Sequence, residues 1–360
     1  MAEARPVWVT GVGVVSPFGR GLEPLWDALV SGAVARPAAC VDYMGPGNLD
    51  PEARAGLGRA TLLAADAAIQ AVEDARVPFT AQTAPMIGVV FGSMEGDKEK
   101  PVPGAPATSV ARVLGVAGPV LSLYGPGSGL AAVIEGFEIV ARGDAPVVVV
   151  GATGAPTAVG GDGADAGRPF DAGRDGVAAG EAACALVLED EEIARSRGAR
   201  LMVQVLGGGL AFSRATVMRP GPNFIDAARA MRAALLRAEV FQGEVETIFS
   251  GAAGDRAGDD VEVRALKDLW GPNVDRLTVT SVLGAAGHAG PAAAVLSLAA
   301  AVASLERGVV PAASGCHEVD EQFAALDIVL GQARDWRYNT AMVTGFSEAT
   351  NAALVIRKSD

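Results

Sequence analysis

Cysteine is scarce in this chain: three in 360 residues, at Cys40, Cys184 and Cys316. No two stand at CxxC spacing, so neither a disulfide framework nor a thiolate metal site is written here, and reduced thiols of a cytoplasmic protein are the expectation. No metal and no cofactor is implied. Positive charge is also short, with 29 Lys and Arg against 42 Asp and Glu and a net charge of −13. That balance speaks against nucleic acid and anionic membranes as partners, and it would repel an acidic carrier protein. The opening MAEARPVWVTGVG lacks the apolar core of a secretion signal. The longest uncharged run, Ala289–Leu305, is mostly alanine and just short of a membrane span, so a buried core helix is expected. Aromatic residues make up only 5%, which suits helices packed closely on sheets through small side chains.

Glycine, alanine and branched aliphatic residues dominate instead, with 46 glycines and half of all residues hydrophobic. The stretch Pro119–Ile134, PVLSLYGPGSGLAAVI, organises the rest. It reads as a short strand (Val120–Tyr124), a Gly-rich corner (Gly125–Gly129) and the start of an apolar helix. Such a corner exposes one side chain beside a helix N-terminus, where the dipole and free N–H groups favour an anion. The side chain there belongs to Pro126, which has no nucleophilic atom.

The order of elements then repeats. The helix Arg59–Ala75 is echoed by Phe224–Ala238, and the strand Pro85–Gly92 by Thr247–Gly251. The helix Ser128–Arg142 is echoed by Gly290–Arg307, and the strand Ala182–Glu189 by Ala352–Arg357. The matching pieces lie about 160 residues apart, too long a period for a solenoid. The expectation is one α/β unit duplicated, with halves at 1–198 and 199–360. Alternating strands and helices predict a mostly parallel sheet covered on both faces, in a layered αβαβα body whose two Gly-rich corners meet near the centre.

Several ordered motifs carry a resemblance across the whole chain. These are VTGVGVVSPFG at 9–19, GPGSGLAAV at 125–133, RPFDAGRDGVAAGEAACALVLE at 168–189, VTSVLGAAGHAGPAAA at 279–294 and TNAALVI at 350–356. Together they resemble a β-ketoacyl synthase of the thiolase superfamily, with the third motif the most specific. The resemblance implies a thiolase-like fold and a Cys–His–His site with a supporting lysine. In this chain the matching positions read Pro126 for the cysteine, Ser250 for the first histidine, Leu283 for the lysine and His288 for the retained second histidine. The gating GFGG reads Phe346-Ser347-Glu348-Ala349. The segments after Gly92 and over Ala152–Gly167 are shorter than the family's.

The reading that follows is a non-catalytic ketosynthase homologue, similar to the chain length factor of type II polyketide synthases. The resemblance implies a heterodimer with a catalytic ketosynthase, with the acyl carrier protein served by that partner. It also implies a dimer contact along Val120, Leu121, Ser122 and Leu123, and an acyl tunnel shaped by Met94. Met94 packing in the core is the alternative. Two other readings stand beside this one: a thioester acyltransferase or hydrolase using Ser128 with His288, and a homodimer that sequesters a carrier protein or lipid. Ser128 also fits plain packing at a helix start. Cys184 fits an inert strand thiol, and Cys40 and Cys316 fit loop thiols. Glu135 and Glu181 fit ion pairs.

Overall fold

The computed structural model describes residues 4–47, 49–94, 105–155, 167–213, 223–347 and 349–359. The expected loops therefore fall partly, and Glu348 wholly, outside the described residues. Strand β1 (Val7–Ser16) is buried along its whole length, as its continuous β-branched run demands. The first half adds β2 (Ile87–Ser93), β3 (Val120–Tyr124), β4 (Val147–Gly154) and β5 (Ala182–Asp190), with helices α1 (Pro51–Ala55), α2 (Arg59–Ala75), α3 (Ala107–Leu114) and α4 (Ser128–Arg142). The second half adds β6 (Val203–Phe212), β7 (Thr247–Phe249), β8 (Thr278–Thr280), β9 (Asp327–Ile328), β10 (Thr340–Phe346) and β11 (Thr350–Lys358), with α5 (Phe224–Ala238), α6 (Arg256–Trp270), α7 (Leu283–Ala286) and α8 (Ala292–Arg307).

The strands form one continuous sheet in the order β9-β8-β7-β10-β11-β6-β1-β5-β4-β2-β3. Outward from the centre, β1-β5-β4-β2-β3 mirrors β6-β11-β10-β7-β8, so the duplication is visible in the topology. The halves are fused where Val7–Val9 pairs with Val203–Val205. They also share one large core, which holds residues from Val7 to Ile356.

The sheet is mixed, which corrects the expectation of a mostly parallel one. In the first half the three outer strands run parallel, and in the second half the four outer strands do. The inner pairings, including β1–β5, β5–β4, β6–β11 and β11–β10, are antiparallel. For β10 and β11 the cause is connection length. Only Ser347–Ala349 separate β10 from β11, and a link that short can join only antiparallel neighbours.

Glycines set the layers. A Cβ on Gly11 or Gly13 of β1 would stand 2.3 Å from the Ala71 carbonyl oxygen or 2.0 Å from that of Ala67, so α2 lies directly on the strand. A Cβ on Gly209 of β6 would stand 2.1 Å from the Ala230 oxygen, which gives α5 the same seat in the second half. Adding a methyl at any of these sites would push a helix off the sheet, at a cost of about 1–3 kcal/mol. Helix α4 lies inside. Gly136 presses against Val150 of β4, and Gly208 of β6 presses against Ile134 of α4. Helix α8 is buried nearly all round, as the alanine-rich run predicted. Among the described residues no helix is long and apolar enough to cross a membrane.

Candidate functional site at the meeting of the two corners

Both Gly-rich corners end at one point. Strand β3 turns through Gly125, whose φ of 108° suits glycine, past Pro126 and Gly127 into α4. From the other half, α7 ends at Gly287, and His288 leads on to Pro291, which caps α8. The two corners touch: a Cβ on Gly129 would stand 1.8 Å from the Pro291 oxygen, and one on Gly154 would stand 1.8 Å from the Ala289 oxygen.

Between them lies a cavity of about 30 Å³ lined by Pro126, Leu130, Gly251, Leu283, His288 and Phe346, among others. That volume holds a water or two and no acyl chain. Among the described residues His288 is its single titratable side chain. The His288 amide donates to the Ala178 oxygen at 2.8 Å, and its own carbonyl accepts from the Gly180 amide at 3.1 Å. Burial pushes the imidazole below its usual range, which favours the neutral form.

The other anticipated residues sit as follows. Pro126 and Leu283 line the cavity, and Leu283 is buried. Ser128 opens α4 but does not line the cavity, and its hydroxyl donates to the Ser93 carbonyl at 3.1 Å. Ser250 corrects the sequence register. It is fully buried, its amide donates to the Thr280 oxygen, and its hydroxyl accepts from the Ala252 amide at 3.0 Å. The residue of that segment that opens to the cavity is Gly251. A Cβ there would meet the Thr344 oxygen at 3.1 Å and the Gly345 Cα at 3.3 Å, so a larger side chain has little room. Among the described residues the cavity therefore offers one imidazole and no nucleophile.

Behind Gly251 lies a residue that sequence reasoning missed. Glu262 of α6 is buried, accepts from the Thr344 hydroxyl, and faces no cation among the described residues. Burial pushes its carboxyl up to about 7, against the pull of the Thr344 and Ser250 hydroxyls. Its neighbour Asp259 accepts the amides of Phe170, Ala253 and Gly254. The signal was present in Asp-Asp-Val-Glu at 259–262, which looks like a solvated helix face until the apolar neighbours Val263 and Leu266 are counted with it.

The specific motif at 168–189 is a clamp. Arg174 is fully buried and reaches Asp320 and Asp260, each at 2.6 Å, with its guanidinium 4.6 Å from the Phe323 ring. Asp171 accepts the amides of Gly173, His317 and Glu318, which hold it below the usual carboxylate range although burial opposes them. The motif thus ties the first half to loops of the second.

Glu181 pairs with Arg59 at 2.7 Å and accepts the Cys40 amide at 2.9 Å, and Glu135 lies 3.6 Å from Arg142. All three cysteines are buried and none lines the cavity. Burial pushes the Cys40 and Cys316 thiols up to about 12 and Cys184 higher still.

Val120, Leu121, Ser122 and Leu123 lie on β3, at the end of the sheet, where β2 is the one paired strand among the described residues. Leu121 is 39% and Tyr124 51% exposed. Met94, just past β2, is 50% exposed, which does not fit packing in the core, and its Cγ comes 3.8 Å from a Cβ built on Gly290 at the cavity.

Comparison with known proteins agrees with this architecture. The profile of the β-ketoacyl synthase C-terminal domain matches residues 203–317. The tetracenomycin polyketide synthase ketoacyl synthase alpha subunit of Streptomyces glaucescens is 31% identical over all of this chain and 98% of its own. The 3-oxoacyl-[acyl-carrier-protein] synthase 2 of Coxiella burnetii is 27% identical over 99% of both chains. Among solved structures, the ishigamide ketosynthase/chain length factor superposes with a TM-score of 0.88 at 26% identity, over 99% of this chain and all of that one.

Proposed function

The chain belongs to the β-ketoacyl synthase family of the thiolase superfamily, and from that premise we propose that it is a non-catalytic member, a chain length factor that pairs with a catalytic ketosynthase. One observation carries the reading. The central cavity has Pro126, Gly251 and Leu283 on its wall, and its volume is about 30 Å³. Claisen condensation needs a thiolate to carry the acyl chain and protonatable groups to manage the decarboxylation. Proline supplies neither, and His288 alone cannot replace the set. What the chain offers a partner is the open strand β3 with Leu121 and Tyr124 uncovered, and Met94 at its rim. In this reading β3 lies against the ketosynthase, Met94 faces the growing acyl chain, and the carrier protein docks on the partner. The two halves, 1–198 and 199–360, act as one scaffold.

The test is reconstitution. The chain alone, given acyl- and malonyl-carrier protein, is expected to form no β-ketoacyl product, and co-expressed with an intact ketosynthase it is expected to co-purify and support chain building. Turnover by the isolated chain above a no-protein control would overturn the reading. The Ser128 alternative finds little support, because that hydroxyl is engaged with Ser93 and stands outside the cavity wall.

A further inference from the structure

Three segments meet behind the wall of the central cavity. The Gly251 amide donates to Thr344 Oγ1 at 3.1 Å, and the Thr344 hydroxyl donates on to the Glu262 carboxyl. The Ser250 hydroxyl reaches the same carboxyl while it accepts the Ala252 amide at 3.0 Å. One carboxyl of α6 thereby joins the loop after β7 to β10. Gly251, Gly345 and Phe346, which stand next to these anchors in sequence, line the cavity. The far end of the wall is tied separately. The Ser347 hydroxyl donates to the Thr350 carbonyl at 2.8 Å and accepts the Thr350 amide at 2.9 Å.

Glu262 is 1% exposed and has no ion pair among the described residues. The charged groups around it are committed. Asp259, one turn earlier, accepts the amides of Phe170, Ala253 and Gly254. Arg174 serves Asp260 and Asp320 and lies 3.9 Å from Asp259. On α5, packed beside α6, Asp226 pairs with Arg229, and Arg232 pairs with Asp268. β7 and β10 carry no titratable side chain. His288, on the cavity wall, is pushed toward its neutral form by burial.

A neutral acid satisfies this position. It can donate to the Thr344 oxygen while the Thr344 hydroxyl turns to the Phe249 carbonyl, 3.5 Å away. A carboxylate without a cation needs water instead, and the cavity has room for it. We propose that Glu262 is a proton-operated latch on the cavity wall. Protonated, it holds Ser250 and Thr344 together and keeps Gly251 and Phe346 in place. Ionised, it admits water past Gly251 and frees Thr344–Phe346, the stretch between the latch and the Ser347 brace. The latch operates whether or not the chain is catalytic.

The direction follows from burial, which raises the carboxyl to about 7 in the closed wall, against about 4.5 when hydrated. Opening is therefore favoured as pH rises, by about tenfold between pH 6 and pH 8. The charge of Asp259 pushes the same way.

The experiment is amide hydrogen exchange of the full-length chain at pH 6 and pH 8, read by mass spectrometry and corrected for intrinsic rates. Peptides over 249–254 and 342–346 are expected to lose about tenfold in protection at pH 8, and to exchange faster there than those of β1 and β5. Glu262→Gln keeps the shape, Asp259 and His288 but cannot ionise, and it is expected to give equal protection at both pH values. Melting curves check that the variant folds. The proposal is overturned by wild-type protection that does not change with pH, by cavity-wall peptides that exchange no faster than β1 and β5 at pH 8, or by a pH dependence that survives in Glu262→Gln. Should the variant fail to fold, the two wild-type outcomes decide alone.

Discussion

The two halves of the chain descend from one plan and end differently. In the second half the outer strand β8 is covered. Asp327 and Ile328 of β9 pair beside Thr278 and Val279, the Val329 amide donates to the Val279 oxygen at 3.0 Å, and every residue of β8 is buried. Among the described residues no strand pairs with the far side of the equivalent strand β3 in the first half, and Leu121 and Tyr124 are exposed. An uncovered apolar edge is a hazard that proteins normally blunt with charge, proline or a covering segment. β3, VLSLY, has none of these. Under the proposed reading, the duplicated fold caps one edge and leaves the other for the partner. The corners diverge in the same way: the second retains His288, while the first has Pro126 where a nucleophile would stand.

The sharpest test places the same charge on each edge. Ile328→Asp is expected to cost the fold about 3 kcal/mol or more, because it buries an unpaired carboxylate under β8, and thermal melting checks this. Leu121→Asp is expected to leave the melting temperature of the isolated chain nearly unchanged and to weaken association with the ketosynthase about a hundredfold, read by analytical ultracentrifugation. Equal loss of fold in both variants would erase the distinction between the edges.

A smaller effect is expected inside the second half. Glu262 has its folded pKa raised, to about 7, above its unfolded value. The folded state therefore holds the proton more tightly, and stability falls as pH rises from about 4.5 to about 7, then levels off. The span is about 3 kcal/mol at most. Glu262→Gln is expected to flatten that slope in denaturant titrations at pH 5 and pH 8, while an unchanged slope would mean that another group carries it.

On the first half's rim, Met94→Ala is expected to lengthen the product of the assembled complex by about one or two extension units, and Met94→Trp to shorten it, read by mass spectrometry of the products. An unaltered distribution from an intact complex would put the end of the acyl chain elsewhere. The smallest expected effect is none at all. Pro126→Cys in the isolated chain is expected to yield no condensation product, since a thiol there still faces Gly251 and Leu283, and catalytic groups act as a unit. Product from the single variant would make the two corners more alike than they look.

Much of this was legible in the residues. The period between Arg59–Ala75 and Phe224–Ala238 disclosed the duplication, and Gly125–Gly129 disclosed the corner, because glycine patterns and helical periodicity are local signals. Strand direction was not read correctly, although the short span between Gly345 and Thr350 held the answer. The Ser250/Gly251 register was lost because neighbouring small residues carry no side-chain signature of which one faces a cavity. Glu262 escaped because the hydroxyl that it accepts from, that of Thr344, comes from a strand far along the chain. The open edge could be inferred only through the family resemblance, since nothing in VLSLY itself states whether another strand covers it.

The fusion of the halves through β1 has a consequence for the chain as it leaves the ribosome. β1 is made well ahead of its long pairing partners, Ala183–Asp190 on one side and Val203–Val205 on the other. At ordinary rates of synthesis that wait is on the order of ten to forty seconds. Throughout it, VWVTGVGVVS is an uncharged, β-prone segment with its long edges unsatisfied, the kind of sequence that aggregates when left waiting. The nascent chain is therefore expected to be a client of ribosome-associated chaperones, and its yield to depend more on their supply than on the stability of the finished fold.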